Sequence, residues 1–386
     1  MLRELLAAGP FSIALPGQIL FGRGQAAQAP ALIGALGDRG LIVHGADPSR
    51  AEWLLSALRA QGVRVTALPC AAEPTLPMLT EALATARRAD PLWVAALGGG
   101  AAIDMGKALA ALIPAPGDPL DHLEVVGRAL PLSADPLPFA ALPTTAGTGA
   151  EATRNAVIGL PDHGRKVSLR DARMLPRLAI VDPALTDGTP PAVTLGSGLD
   201  ALAQVIEPFV SCRATPFTDA LSWPVTAPGL AALQRLMQAE DAAARDVMAW
   251  TSLSGGIALA NGGLGAVHGL AGVIGGVTGA GHGAICGALL GPVIAMNRRR
   301  ATGEAARRLD ALCDLLGGVL GVAGADAPAS LARWARDSGL PGLTAQGLPP
   351  AQHQQVAEAA RQSSSFKGNP VNLPPADLCE VLAQAA

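Results

Sequence analysis

The chain has 386 residues, of which 50% are hydrophobic and 15% charged, and its formal net charge is −3. This length predicts two domains with sizeable cores, and the apolar content excludes a disordered chain. A nucleic-acid partner would require a basic surface and stacking side chains. With 28 basic and 31 acidic residues and only 3% aromatic residues, we expect no such partner.

The long segment 247–297 contains no Asp, Glu, Lys or Arg. A membrane-spanning helix needs only about 20 apolar residues, so a membrane span has to be considered. Frequent glycine in this segment favours buried, close-packed helices instead, because glycine weakens an isolated helix. We therefore expect no membrane partner.

The cysteines and the N-terminal segment both bear on location. The first residues lack the basic start and long apolar core of a secretion signal. Five widely spaced cysteines, with no C-x-x-C pair, predict neither a disulfide framework nor a thiolate metal cluster. We therefore expect a reducing, cytoplasmic location.

Short apolar runs alternate with longer amphipathic runs in the first half of the chain. The predicted strands are Leu41–Val43, Val63–Pro69, Leu92–Leu97, a run beginning at Phe139, and Leu178–Pro183. Strands that alternate with helices indicate parallel βαβ units. After Asp187 the sequence indicates helices broken by Gly and Pro, including a predicted break at Pro224 and Pro228. We predict an α/β dinucleotide-binding domain over 1–187 and an all-helical domain over 188–386.

Two segments of the first half follow predicted strands and offer phosphate-binding chemistry. Gly98-Gly99-Gly100 lies between a strand and a helix start, where backbone N–H groups and the helix N-terminus attract a pyrophosphate. Pro143–Glu151 follows the next strand with three threonines and two glycines, which suit ribose or phosphate binding at the edge of an α/β sheet. Neither segment contains a Walker A or a G-x-G-x-x-G motif.

Polar residues in the otherwise apolar second half predict a metal site. Asp200 and Gln204 are one helical turn apart and share a face. His268 and His282 lie in the uncharged segment, where an imidazole needs a hydrogen bond or a metal. Each histidine taken alone favours a hydrogen-bonded core residue, but two imidazoles together with the Asp200 carboxylate favour a site for Fe²⁺ or Zn²⁺.

These motifs, in this order, resemble the iron-containing (group III) alcohol dehydrogenase family. GGGAAIDMGK from Gly98 and PTTAGTGAEAT from Pro143 are similar to its two signatures. GLDALAQVIEPFVS, the two histidine segments and the late Asn369-Pro370 are similar to its later blocks. The resemblance covers nearly the whole chain. It implies an NAD(P)-binding parallel α/β domain followed by a helical metal domain, the architecture also found in dehydroquinate synthase.

The resemblance also implies site residues. The pyrophosphate-binding residues would be Gly98, Gly99, Gly100, Ala101 and Ala102. The rest of the dinucleotide would contact Thr144, Thr145, Thr148, Asn155, Val157 and Lys166. The metal, Fe²⁺ or Zn²⁺, would be held by Asp200, Gln204, His268 and His282.

Three positions differ from the family pattern. Gln204 stands where the second metal ligand is a histidine, and an amide oxygen is a weaker ligand. Gly272 stands where a further histidine often follows, so no catalytic acid or base is assigned. Gly45 stands where an aspartate selects NAD, so NAD and NADP both remain open, with Ser49 or Arg50 as candidate 2′-phosphate contacts.

The predicted function is hydride transfer between NAD or NADP and a small alcohol, aldehyde or ketone, with the metal polarising the oxygen. Two alternatives remain open because of Gln204. One is a metal-independent enzyme similar to maleylacetate reductases, and the other is a catalytically weakened dinucleotide-binding protein. A homodimer is expected only because it is the commonest homo-oligomer.

Overall fold

A computed structural model describes residues 9–386, so the first eight residues of the segment assessed for a secretion signal lie outside the described part. The chain folds as two units. The α/β unit comprises Leu15–Thr145 and Gly149–Asp187, and the helical unit comprises 9–14, Ala146–Thr148 and Gly188–Ala386.

The α/β unit alternates strands and helices along most of its length. Its strands are β1 (Gln18–Phe21), β2 (Arg39–His44), β3 (Arg64–Pro69), β4 (Trp93–Gly98), β5 (Phe139–Pro143), β6 (Asn155–Leu160), β7 (Arg165–Arg170) and β8 (Leu178–Val181). Its helices are α1 (Ala29–Gly34), α2 (Glu52–Ala60), α3 (Leu76–Ala89), α4 (Gly100–Leu112) and the short α5 (Pro119–His122).

Six parallel strands form one sheet in the order β1-β8-β5-β4-β2-β3. The chain runs from β2 outward to β3 and returns to β4 on the other side of β2, so the strand order reverses between β2 and β4. In open α/β sheets, ligands bind outside the carboxyl ends of the strands at such a reversal. His44 pairs with Leu97 there, and the glycine turn follows immediately.

Two features of this unit were not predicted. Residues 18–21 form the edge strand β1, which pairs with β8, although no strand was predicted there. Asn155–Leu160 and Arg165–Arg170 form an antiparallel hairpin that makes a separate two-stranded sheet. The hairpin carries three of the predicted dinucleotide contacts.

The helical unit contains nine α-helices in its described part. They are α6 (Pro191–Val210), α7 (Pro216–Gln238), α8 (Ala242–Gly262), α9 (Ala266–Thr278), α10 (His282–Arg300), α11 (Gly303–Leu320), α12 (Ala327–Asp337), α13 (His353–Ala360) and α14 (Pro375–Gln384). Helix α6 is central and is buried over nearly its whole length, packed against α7, α8 and α10. Residues on such a helix are shielded from water on every side.

The predicted break at Pro224 and Pro228 is wrong, because α7 continues through both prolines to Gln238. A proline inside a helix removes a hydrogen bond and costs about 3 kcal/mol. Burial of neighbours such as Val225 and Leu230 between packed helices offsets that cost.

No single helix within residues 9–386 is long and apolar enough to cross a membrane. Two pairs of helical segments reach that threshold only when joined, and they are bent by 99° and 92°; the pairs are Ala242–Gly262 with Ala266–Thr278, and Gly303–Leu320 with Gly324–Asp337.

Candidate functional site

The predicted pyrophosphate residues form a tight turn at the strand-order reversal. Gly98 ends β4, Gly99 is the N-cap of α4, and Gly100 opens that helix. A side chain at Gly98 would place its Cβ 2.6 Å from the Cβ of Ala102 and 3.3 Å from the amide nitrogen of Gly45. The glycine therefore permits a close approach between α4 and the end of β2, and the first amides of α4 are free of side-chain caps.

The charged residues of the same motif anchor the segment that follows the threonines. Lys107 is buried, and its Nζ donates to the carbonyl oxygens of Ala150 (2.7 Å), Thr153 (2.9 Å) and Asn155 (2.9 Å). The carboxylate of Asp104 accepts from the amide of Val157 at 3.1 Å. Lys107 thus has a structural role, because it joins α4 to the start of β6 and to the segment before it.

Three predicted dinucleotide contacts share one face of the β6–β7 hairpin. Asn155 and Val157 alternate along β6, and Lys166 lies opposite Gly159 on the same face. Val157 is 37% exposed, so this face is open at Val157, whereas the side chain of Lys166 is only 10% exposed. The ammonium of Lys166 forms an ion pair with Glu73, which fixes its position on the hairpin.

The three predicted threonines are divided between the two units. Thr144 donates its amide to the carbonyl oxygen of Gly98 at 2.9 Å, and Thr145 lies beside Gly99. Thr148 belongs to the short Ala146–Thr148 segment of the helical unit. Thr144 and Thr145 therefore lie next to the glycine turn, and Thr148 is placed with the helices.

Three helices bring the predicted metal ligands together. Asp200 and Gln204 lie on α6, His268 on the first turn of α9, and His282 at the start of α10. A Cβ at Gly283 would lie 2.5 Å from the carbonyl oxygen of Gly196, so the G-H-G segment allows α10 to begin against α6.

The ligand atoms converge at distances that are longer than hydrogen bonds. Oδ1 of Asp200 lies 3.3 Å from Nε2 of His268 and 3.8 Å from Nε2 of His282. Oδ1 of Asp200, Oε1 of Gln204 and Nε2 of His268 are buried without a hydrogen-bond partner. Unpaired buried polar atoms are costly in free energy, so a cation bound among these three atoms would supply the partner that no protein group provides. The donor set of carboxylate and imidazoles fits Fe²⁺ or Zn²⁺.

Glu207 and Cys286 belong to this site and were not singled out from the sequence. Glu207 is one turn beyond Gln204 on the same α6 face, a spacing that offered a signal. Its Oε2 lies 2.7 Å from Nδ1 of His268, and its Oε1 accepts from the amide of Val267 at 2.7 Å. Cys286, one turn after His282, places its Sγ within 4.8 Å of the other donor atoms.

The late Asn369-Pro370 motif has a structural role at the start of α9. The side-chain oxygen of Asn369 accepts from the amide of Ala266 at 3.1 Å and from Asn297 at 3.1 Å. Asn369 thereby fixes the beginning of α9, the helix that carries His268.

Electrostatics at the centre favour a bound cation. Burial alone would lower the pKa of His268, but the neighbouring Cys286, Asp200 and Glu207 raise it well above its ordinary value. Burial has the same opposing effect at His282, whose pKa Cys286 and Asp200 raise. Burial would raise the pKa of Asp200, but the imidazoles lower it. Positive charge is therefore stabilised here.

Two family models match the chain. One is described as iron-containing alcohol dehydrogenase and matches residues 16–183, and the other as the C-terminal part of the Fe-containing alcohol dehydrogenase family and matches residues 194–386. The chain belongs to the iron-containing alcohol dehydrogenase family.

Several members of this family are similar over part or all of the chain. The probable alcohol dehydrogenase EutG of Salmonella typhimurium is 37% identical over 247 residues, which cover 64% of this chain and 62% of that protein. The match therefore spans less than two thirds of EutG. The NAD-dependent methanol dehydrogenase of Bacillus methanolicus is 30% identical over 384 residues, which cover 96% of this chain and 98% of that protein.

Solved structures of two oxidoreductases share the architecture. A 1,3-propanediol oxidoreductase has a TM-score of 0.87 and 27% identity, with 98% of this chain and 100% of that chain covered. An alcohol dehydrogenase from Oenococcus oeni has a TM-score of 0.86 and 26% identity at the same coverage. The predicted fold, a parallel α/β part followed by a helical part, is confirmed.

The structure shows the surroundings of two of the three positions that were predicted to differ from the family pattern. A Cβ at Gly272 would meet no atom within 4 Å, so the position one turn beyond His268 faces open space. Gly45 follows β2, and near it the hydroxyl of Ser49 donates to Asp47 at 2.7 Å. Arg50 donates to the carbonyl oxygen of Leu185 at 2.7 Å, so Ser49 and Arg50 are both engaged within the unit.

Proposed function

We propose that this protein is an NAD-dependent alcohol dehydrogenase that uses a divalent metal and acts on small alcohols and the corresponding carbonyl compounds. The observation that carries the proposal is the convergence of buried, unpartnered donor atoms of Asp200, Gln204 and His268 beside His282. The membership of the chain in the iron-containing family supports iron as the first metal to test.

The two parts of the chain would have separate tasks, with 1–187 binding the dinucleotide and 188–386 holding the metal. The amides of the glycine turn would bind the pyrophosphate, because they open an uncapped helix N-terminus. The open face of the β6–β7 hairpin would contact the nicotinamide half through Asn155 and Val157.

Asp200, His268 and His282 would hold the ion, with Gln204 beside them in place of a histidine. Lewis acidity toward the substrate oxygen is the chemistry that a bound divalent ion supplies. Glu207 holds the imidazole of His268 with Nε2 directed at the site, and the surrounding helices exclude water from Asp200 and His268. Hydride transfer itself belongs to the nicotinamide.

NAD is the preferred coenzyme in this proposal. Ser49 and Arg50, the residues predicted to contact a 2′-phosphate, are engaged by Asp47 and by the Leu185 carbonyl. Hydrogen bonds from Ser49 lower the pKa of Asp47, so its carboxylate stays charged at neutral pH and repels a phosphate. The NAD-dependent methanol dehydrogenase, similar over nearly the whole chain, agrees with this choice.

A cytoplasmic homodimer completes the proposal. The five cysteines within the described residues are free thiols, which suits a reducing compartment. The homodimer rests on the general prevalence of two-fold assemblies.

The test is metal content together with NAD-dependent oxidation of short-chain alcohols such as methanol and 1,3-propanediol. Protein purified anaerobically without a metal-affinity column should contain about one Fe or Zn per chain, since one donor cluster is present among the described residues. Asp200→Asn should lose the metal and the turnover but still bind NAD, whereas the exposed Asp310→Asn should behave as wild type. A chain that stays empty when Fe²⁺ or Zn²⁺ is added, yet reduces carbonyl compounds, would replace this proposal with the metal-independent alternative.

A further inference from the structure

Cys286 lies at the metal centre although the sequence predicted no thiolate ligand. It is fully buried on α10, one helical turn after His282, so both side chains project from the same face. Its Sγ lies 3.6 Å from Nε2 of His282. The donor atoms of Asp200, His268, His282 and Cys286 all lie within 4.8 Å of one another.

Three of the six separations among these atoms match those of a tetrahedral ligand shell. Bond lengths of about 2.0–2.3 Å place the corners of a tetrahedron roughly 3.3–3.8 Å apart. The three separations are 3.3 Å for Asp200 and His268, 3.8 Å for Asp200 and His282, and 3.6 Å for Cys286 and His282. These distances suit four donor atoms around a common ion, and Oδ1 of Asp200 and Nε2 of His268 have no hydrogen-bond partner.

Gln204 is a poorer candidate for the fourth ligand. Its amide is neutral, and a neutral amide oxygen is a weak ligand for late divalent metals, whereas a thiolate binds them strongly. The Gln204 side chain also interacts with the Asp200 carboxylate one helical turn away, so its role is to orient that carboxylate.

We propose that Cys286 is the fourth metal ligand, so that the centre is Asp200, His268, His282 and the Cys286 thiolate. The proposal rests on the proposed metal-dependent function. Binding of the ion forms a metal–sulfur bond and releases the thiol proton to solvent, and no oxidation state changes. A softer ligand set of this kind favours Zn²⁺ relative to a centre of carboxylate and imidazoles alone.

Cobalt substitution tests the proposal without relying on activity. Co²⁺ added anaerobically to the metal-free full-length protein should give visible d–d bands and, in addition, a near-ultraviolet thiolate-to-cobalt charge-transfer band. Cys286→Ser should lose the charge-transfer band and bind Co²⁺ at least about tenfold more weakly. The control is Cys313→Ser, a substitution of another fully buried cysteine on a helix of the same unit, which should keep the band.

The outcomes separate this proposal from the proposed function. Visible cobalt bands without a charge-transfer band, or a band that persists in Cys286→Ser, would show a metal centre that does not include the thiolate, and would overturn the assignment of Cys286 alone. A wild-type protein that binds none of Co²⁺, Zn²⁺ and Fe²⁺ would overturn both proposals. The charge-transfer measurement on the wild type does not depend on whether the variant folds.

Discussion

The carboxylate of Glu207 lies 2.7 Å from Nδ1 of His268 on the neighbouring helix. A carboxylate only accepts hydrogen bonds, so the imidazole donates from Nδ1 and leaves Nε2 to face the proposed metal position beside Asp200. Second-layer contacts of this kind fix the tautomer and orientation of a ligating histidine. Glu207 is therefore a positioning residue for the metal centre.

Glu207→Gln should weaken metal binding by about 10–100-fold. The amide oxygen can still accept from the Val267 amide, but the amide nitrogen then faces Nδ1 of His268 and shifts the proton to Nε2. Chelator-competition titration of the metal measures the effect. The matched control is Glu304→Gln, at an exposed position on α11. Equal metal affinity in wild type and Glu207→Gln would show that Glu207 does not orient the histidine.

Gly98→Ala should weaken NAD binding and lower thermal stability. The added Cβ would lie 2.6 Å from the Cβ of Ala102, which forces α4 away from β4. Calorimetric titration with NAD and a melting curve measure both effects, which we expect to include about 1–3 kcal/mol of destabilisation.

The control for that substitution is Gly318→Ala on α11, where a Cβ meets no atom within 4 Å. Removing a glycine from a helix interior should stabilise the protein by about 0.5–1 kcal/mol and leave NAD binding unchanged. If both alanine variants bound NAD equally well, close packing at Gly98 would not be what shapes the turn.

Glu151 should make the stability of the α/β unit depend on pH. Burial raises its pKa from 4.5 to about 7, so the folded protein keeps a proton that the unfolded chain releases between these values. Its contribution to stability is therefore fully present below pH 4.5 and is lost as the pH rises to 7. Glu151→Gln should remove this pH dependence of the free energy of unfolding, which amounts to about 3 kcal/mol over the whole range.

Melting curves of wild type and Glu151→Gln at pH 5, 6 and 7 provide the measurement. The melting temperature of the wild type should fall relative to that of the variant as the pH rises. Two melting curves that stay parallel would mean that Glu151 is ionised throughout in the folded protein. Lys107 adds little here, since burial lowers its pKa only to about 8.

Asp47→Ser should improve the use of NADP. The exposed carboxylate follows β2 by three residues and repels a 2′-phosphate, and serine can instead donate to it. We expect kcat/KM for NADP to rise roughly tenfold relative to that for NAD. Steady-state kinetics with both coenzymes measure the ratio, with Asp162→Ser, on an exposed turn of the same unit, as the control. An unchanged ratio would mean that the coenzyme ribose does not approach Asp47.

The alternation of apolar and amphipathic runs was enough to predict the central strands. Strands β2, β4 and β8 contain continuous apolar runs because these runs are buried within the sheet. The hairpin strand β7 reads R-K-V-S-L-R, whose polar residues give no such run, and β1 lies at the sheet edge. The prolines of α7 caused the opposite error, because they predicted a helix break that is absent. Packing against neighbouring helices overrides the low helix propensity of proline there.

At the centre, Asp200 and Gln204 were visible as a pair on one face, but their relation to Cys286 was not. That cysteine was one of five scattered thiols in the sequence. Its spacing from His282 places both on one face of α10, but its approach to Asp200 and His268 depends on the packing of α10 against α6 and α9. The role of Glu207 could not be predicted from the sequence either, because it depends on where α9 begins. Spacing within one helix can be predicted from sequence, whereas contacts among three helices require the fold.

The uncharged segment 247–297 contains His268, His282 and Cys286, so the least charged part of the chain is also the part that closes around the metal centre. In a newly made chain, before α9 and α10 pack against the other helices, these 51 residues are exposed. They carry no charged side chain that would repel another copy of the chain. The packing step that assembles the metal centre therefore also buries the segment that would otherwise aggregate. Refolding from urea with Zn²⁺ should recover more unaggregated protein than refolding with a chelator, and equal recovery would separate the two.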